Sequence, residues 1–329
     1  MKKLRNLRLQ NIVPFIAFLA IFLFFAVASK GRMITSYNLT KLIEQSMIIV
    51  VIGCGSLFVV AQGSIDLSVG VNLALSGVIG LWAGITLGAP ILMIPISLLV
   101  GALVGLFNGV VVAKLKVPSF ILTIALLIGI RGIVLLILTR IDIQYIPDSI
   151  AVFRTPAVKI IMFLVIIAVM AYLFEFTRVG RYSRAIGENE VVAKYVGVPV
   201  DRIKILAFVL SGTMAGAAAV FSMLSVGGTS QTMGSFIEMR VAMAIFLGGV
   251  LVTGGSSAKI YKMLLGSFSI TIFVNGLAII GYPQIQVSES VQGILLLLIL
   301  FVTLIATNRD RKRGSVEEND EKNAEITAR

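Results

Sequence analysis

The chain has no histidine, one cysteine and few charges. Without histidine there is no Ser-His-Asp or Cys-His catalysis and no histidine-ligated metal. The single cysteine, Cys54, lies inside an apolar run, which excludes a disulfide framework and a cysteine metal site. Charged residues make up 13% of the 329, about half of what a soluble domain carries, while 58% are hydrophobic and the mean hydropathy is +1.02. Water is not the main solvent of such a chain. Its apolar content lies in runs long enough to cross a hydrocarbon layer of about 30 Å, so one membrane bundle is expected instead of two soluble domains.

The formal net charge is +12. Basic residues that bind nucleic acid cluster on one soluble face beside aromatics. Here they sit between apolar runs, and no nucleic-acid partner is expected. Runs bounded by charge, Pro or Gly give about ten spans, starting near Ile12, Leu42, Leu67, Ile91, Val117, Ala157, Ile205, Val241, Met263 and Ser290. Those near 42, 67 and 241 carry Gly, Ser, Asn or Gln and belong in the interior of the bundle.

Lys and Arg between the spans set the direction. With the basic N-terminus (1–11) in the cytoplasm, 20 of the 28 basic residues fall on the cytoplasmic side and seven on the other. The remaining one, Arg131, falls inside a span. Ten spans with both ends in the cytoplasm satisfy this count, in a bacterial inner membrane. The first run has a cleavage-like Ala26-Val27-Ala28, but from Ile12 to Ala28 it exceeds the core of a signal peptide and reads as an uncleaved helix. The membrane bundle then occupies 12–307. The tail, 308–329, is almost free of apolar residues and is expected to be disordered in the cytoplasm.

The longest cytoplasmic stretch, 177–204, is built like a short helix between two hinges. Asn189 is a suitable N-cap, Glu190 sits in the first turn with Lys194 four residues on to pair with it, and Gly197 and Pro199 stop the helix. Val191, Val192, Tyr195 and Val196 share one apolar face. Such a face either meets a partner or the bilayer surface, as a coupling helix on a cytoplasmic ATPase would, or packs under the bundle as an ordinary loop.

Several motifs together resemble the ribose-type (monosaccharide) permeases of ATP-binding-cassette importers. They are Gly63-Ser-Ile-Asp66-Leu-Ser68-Val-Gly70, Val117-Pro-Ser-Phe-Ile-Leu-Thr123, Gly180-Arg-Tyr and Gly187-Glu188-Asn189-Glu190 with Gly197, then Gly248-Gly249, Gly254-Gly255 and Gln292-Gly293. The resemblance implies an all-helical permease that works as a dimer, expected to be of two identical chains. It also implies a cytoplasmic ABC ATPase that binds the ATP and a sugar-binding protein on the outer side. The permease itself would need no cofactor and have no ATPase activity. The resemblance favours the coupling-helix reading, with Gly187, Glu188, Asn189, Glu190, Val192, Lys194, Tyr195 and Gly197 at the ATPase. It further implies an inverted repeat, with spans two to five set against seven to ten.

Polar groups inside spans are the candidates for a translocation path: Asp66, Asn72, Asn108, Thr123, Arg131 and Asn275. Asp66 places a carboxylate where a span enters the membrane, either capping a helix that begins at Leu67 or facing solute. The Asn and Thr side chains serve equally well as helix-to-helix hydrogen bonds. Arg131 lies too deep to snorkel easily and calls for a partner or a wet cavity. The rival reading is an ion-coupled secondary transporter, which needs titratable groups at the midplane. Glu44, Glu175 and Asp66 all read as lying near span ends.

Overall fold

The computed structural model describes residues 2–282 apart from 142, and beyond these only 290, 291, 293, 294, 297 and 301. The expected tenth span and the tail 308–329 therefore lie almost wholly outside the described residues. Within them the chain is an all-α bundle, with a single antiparallel bridge between Tyr145 and Gly228 and no strand. Its helices are α1 (Lys2–Ala28), α2 (Ser36–Ala61), α3 (Val69–Thr86), α4 (Met93–Lys114), α5 (Ser119–Ile141) and α6 (Pro156–Phe176). They continue with α7 (Arg178–Glu188), α8 (Glu190–Tyr195), α9 (Val200–Val226), α10 (Ile237–Leu247) and α11 (Ile260–Ile279).

Seven of these, α2 to α6, α9 and α11, are long and apolar enough to cross a membrane. The run expected to span from Val241 does not: it forms α10, whose 11 residues rise about 16 Å, roughly half a hydrocarbon layer. The run stops there because Gly249, Gly254 and Gly255 all take positive φ, between +69° and +82°, and turn the chain into a loop. The first helix begins at Lys2, so the basic segment runs straight into it, and its apolar part, Pro14–Ala28, is shorter than the seven long apolar helices.

The most apolar helices are the least buried. In α2, which carries Ser46, Gly53, Gly55 and Ser56, 78% of the most apolar window is buried, against 22% in α4, α5 and α6, the three most apolar helices. That is the order lipid imposes: polar and small residues seek protein neighbours, and the fully apolar surfaces face hydrocarbon. The expectation that the runs near 42 and 67 are interior holds for α2 and α3.

The tightest seam joins α4 to α9. Gly101, Gly105 and Gly109 recur at every fourth residue of α4, against Gly212 and Gly216 of α9. A Cβ at Gly101 would collide with the Gly212 carbonyl, and one at Gly105 with that of Phe208. Without a hydrophobic driving force between helices in lipid, this close backbone approach supplies the packing. The outer helix α1 packs on α11, with the Phe25 ring over Gly276 and edge-on to Phe273 at 5.7 Å.

Candidate functional site

The expected polar break lies between α2 and α3. Helix α2 ends in a Schellman turn: Gly63 takes φ +71°, its N–H donates to Val60 O at 2.9 Å, and Ser64 N donates to Val59 O at 3.2 Å. Residues 64–68 are then non-helical, and α3 begins at Val69, not at Leu67. Asp66 is accordingly not the N-cap. Its Oδ1 accepts from Ser68 N at 3.0 Å and Ser68 Oγ at 2.6 Å, forming an Asx turn ahead of the helix. Its Oδ2 accepts from Ser211 Oγ of α9 at 3.0 Å.

Two further expected residues join this network. Asn108 of α4 donates to Ser68 Oγ at 2.8 Å, while its Oδ1 is buried without a partner among the described residues. Asn72, one turn into α3, donates to Gly101 O at 3.2 Å and accepts from Ser76 Oγ at 3.2 Å. A chain of hydroxyl, amide and carboxylate groups thus ties the break to α4 and α9, and all of them are buried. Buried polar groups are costly unless bonded, so this network fixes one geometry for the break.

Arg131 has the partner its depth demands. From α5 it donates to Met233 O at 2.8 Å, in the segment 227–236 that leads into α10, and it is attracted to Glu238 in the first turn of α10. Glu238 is 7% exposed, and its Oε2 is buried without a hydrogen bond among the described residues. The same carboxylate and the Gly234 carbonyl lie against Gly70, where a Cβ would strike both. So Arg131 and Glu238 sit beside the broken start of α3.

Thr123 is buried, but its hydroxyl donates to Ser119 O of its own helix at 2.9 Å. Asn275 lies on α11, which packs on α1, α2 and α10, and its Oδ1 is buried without a partner among the described residues.

The segment 177–204 forms two short helices. Asn189 caps α8 by accepting from Val192 N at 3.0 Å. Gly197, at φ +85°, closes it with a second Schellman turn, Gly197 N to Lys194 O and Val198 N to Ala193 O. Ile186, Ala193, Val198, Val200 and Ile203 make a small core beneath. Val191, Val192, Tyr195 and Val196 face outward, Tyr195 being 87% exposed. The expected i,i+4 pair is replaced: Glu190 bonds Lys204 of α9 at 2.7 Å, and Lys194 is exposed. The α9 lysine lies beside the first turn and anchors α8 to the bundle, which a pair within α8 could not do.

Gly187 and Glu188 both meet the 255–256 loop, Gly187 by backbone packing and Glu188, although exposed, through its carboxylate. Gly187 packs so closely on Ala61 O and Gly255 N that a Cβ would strike both. Glu188 Oε1 accepts from Ser256 N at 2.6 Å, and hydrogen bonding from Ser256, side chain first and backbone second, holds its carboxyl below the usual carboxylate range. Gln62 completes the junction, donating to Ser183 Oγ at 3.0 Å and to Ile203 O at 3.2 Å.

Glu238, Ser211 and Gln62 belong to these clusters although no sequence motif marked them, and Ser68 entered only as part of the Gly63–Gly70 motif. An acid three residues ahead of an apolar run was a usable signal for Glu238; nothing local marks Gln62.

Comparison with known proteins agrees with this architecture. A family described as "Branched-chain amino acid transport system / permease component" matches residues 38–301. The chain is 30% identical over 321 residues to the autoinducer 2 import system permease protein LsrC of Photorhabdus laumondii, covering 94% of this chain and 93% of that protein. It is 29% identical to the ribose import permease protein RbsC of Haemophilus influenzae (89% of this chain, 92% of that protein) and 28% identical to RbsC of Escherichia coli K12 (84% and 87%). No solved structure matches. A helical bundle with broken spans and a capped amphipathic loop, matched over most of its length, places the chain in this permease family of ATP-binding-cassette importers, to which it belongs.

Proposed function

We propose that the chain is the membrane-spanning subunit of an ATP-driven importer of a sugar or sugar-like solute, working by alternating access. A separate cytoplasmic ATPase docks on α8, a second permease subunit, expected to be identical, completes the pathway, and an extracytoplasmic binding protein delivers the solute. In this reading both termini and α7–α8 lie on the cytoplasmic side, and the subunit hydrolyses no ATP itself. The relatives named for ribose and autoinducer 2 import support a small polyhydroxylated solute.

The observation that carries the reading is the outward apolar face of α8. A two-turn helix is not stable alone. This one is capped at both ends, anchored by Glu190–Lys204 and seated on its own core, yet presents Val191, Val192, Tyr195 and Val196 to the outside. A rigid apolar knob of that kind fits a groove in a soluble partner. The buried network at the α2–α3 break, with Asp66, Asn72 and Asn108, and the neighbouring Arg131 and Glu238 side chains supply the polar groups of a weakly interacting path. Selection is left to the binding protein.

Co-purification tests the docking face. Val192→Asp with Tyr195→Asp places two charges on the knob without touching the core beneath it. The ATPase should no longer co-purify, while the permease inserts and keeps its thermal stability. Undiminished ATPase recovery with the double variant would refute the assignment.

A further inference from the structure

Glu175 and Glu188 are 13 positions apart, at the end of α6 and the end of α7, and they hold the same stretch of chain. Glu188 Oε1 accepts from Ser256 N at 2.6 Å, and Glu175 Oε1 accepts from Ile260 N at 3.1 Å, the first residue of α11. Glu175 Oε2 is fixed in turn by Arg184 of α7 at 3.0 Å and has Lys259 at 3.9 Å. The loop between them is built for close approach. Gly254 and Gly255 have φ of +76° and +69°; a Cβ at Gly254 would meet the Val60 and Ala61 carbonyls, and one at Gly255 would meet the Glu188 carboxylate.

The far side of the loop is equally rigid. A Cβ at Gly248 would strike the Lys262 carbonyl, and one at Gly266 the Ala244 carbonyl, so α10 and α11 pack as a single hairpin. The other end of α10 carries Glu238 and the Gly234–Gly70 contact, beside Arg131 and the broken start of α3. An unbroken series of close contacts therefore runs from α7 through 255–260 and α10 to the polar break.

We propose that Glu175 and Glu188 are positioning residues for transport: a two-point clamp that makes the α10–α11 hairpin move with α7–α8. A displacement of the docking knob is thereby delivered to the Gly70–Gly234 seam at the path. Glu188, although exposed, then serves a contact within the permease and not the ATPase docking face. The inference rests on the reading of α8 as the docking face and adds where its motion goes.

The test uses the complete transporter, permease with its ATPase and binding protein in vesicles, and measures ATPase recovery, ATP hydrolysis and solute taken up per ATP. Glu188→Ala removes the acceptor; Gly255→Ala keeps Glu188 but drives a methyl into its carboxylate; Glu188→Gln keeps an acceptor oxygen. The first two should keep ATPase recovery and hydrolysis within about twofold of wild type and lower uptake per ATP by about tenfold, in the range of an ordinary coupling between sites. Glu188→Gln should retain most of it, and amide exchange over 255–260 should speed up only in the two alanine variants. Loss of ATPase recovery in Glu188→Ala would make Glu188 part of the docking surface and overturn the clamp. Unchanged uptake per ATP would overturn it as well. A wild-type complex without ATP-driven uptake would instead refute the importer reading itself.

Discussion

Asn108 of α4 donates to Ser68 Oγ at 2.8 Å, and that same hydroxyl donates to Asp66 at 2.6 Å. One serine thus relays between a carboxylate in the break and a helix on its other side. Removing the acceptor leaves two hydroxyls and a backbone N–H buried without it. Asp66→Ala should lower stability by about 1–3 kcal/mol, and Asp66→Asn, which keeps one acceptor oxygen, should cost less. Thermal unfolding of the purified permease in detergent checks the order of the two variants.

Gly70 leaves no room for a side chain, whereas Gly129 and Gly132 on α5 have open space around them. Gly70→Ala must displace the Glu238 carboxylate and the Gly234 carbonyl and should be strongly destabilising. Gly129→Ala and Gly132→Ala should be neutral or stabilising, by up to about 1 kcal/mol, because alanine is the better helix former. Folded yield and melting temperature of the three variants give the comparison.

Lys159 of α6 and Glu44 of α2 pair at 2.5 Å with side chains 5% and 14% exposed, and Lys41 holds the second Glu44 oxygen at 3.0 Å. Lys159→Ala leaves a mostly buried carboxylate with one outer partner and should cost about 3 kcal/mol. Lys159→Met combined with Glu44→Leu should recover most of that loss. A double-mutant cycle on melting temperature reads the coupling.

The Glu188–Ser256 bond has a defined pH response. A carboxyl held below its ordinary value keeps its bond at all pH above that value, 4.5, and loses it as pH falls through the lower folded value. Amide exchange at Ser256, corrected for its intrinsic pH dependence, should show constant protection from neutral pH down to about 4.5 and declining protection below. Glu188→Gln should show no such decline.

Features encoded within a few neighbouring residues were legible in the sequence. The Asn189 cap, the Gly197 stop and the exposed valines of α8 follow from local spacing, and the seven long helices follow from uninterrupted apolar runs. Where two distant segments meet, the sequence was silent or misleading. Arg131 demanded a partner, but Met233 and Glu238 are about a hundred residues away and arrive only because 227–236 turns in beside α3. Glu190 finds Lys204 instead of Lys194 because α9 starts beneath α8. The run beginning at Val241 reads as a span because hydropathy does not register the backbone turn its glycines make.

In the proposed function this subunit moves solute only when a soluble motor acts on α8. Uptake into vesicles containing the permease, with and without its ATPase and ATP, tests it most directly. Accumulation is expected only with both present, insensitive to an ionophore and abolished by Val192→Asp with Tyr195→Asp. Accumulation by the permease alone, collapsing when an ionophore is added, would contradict it.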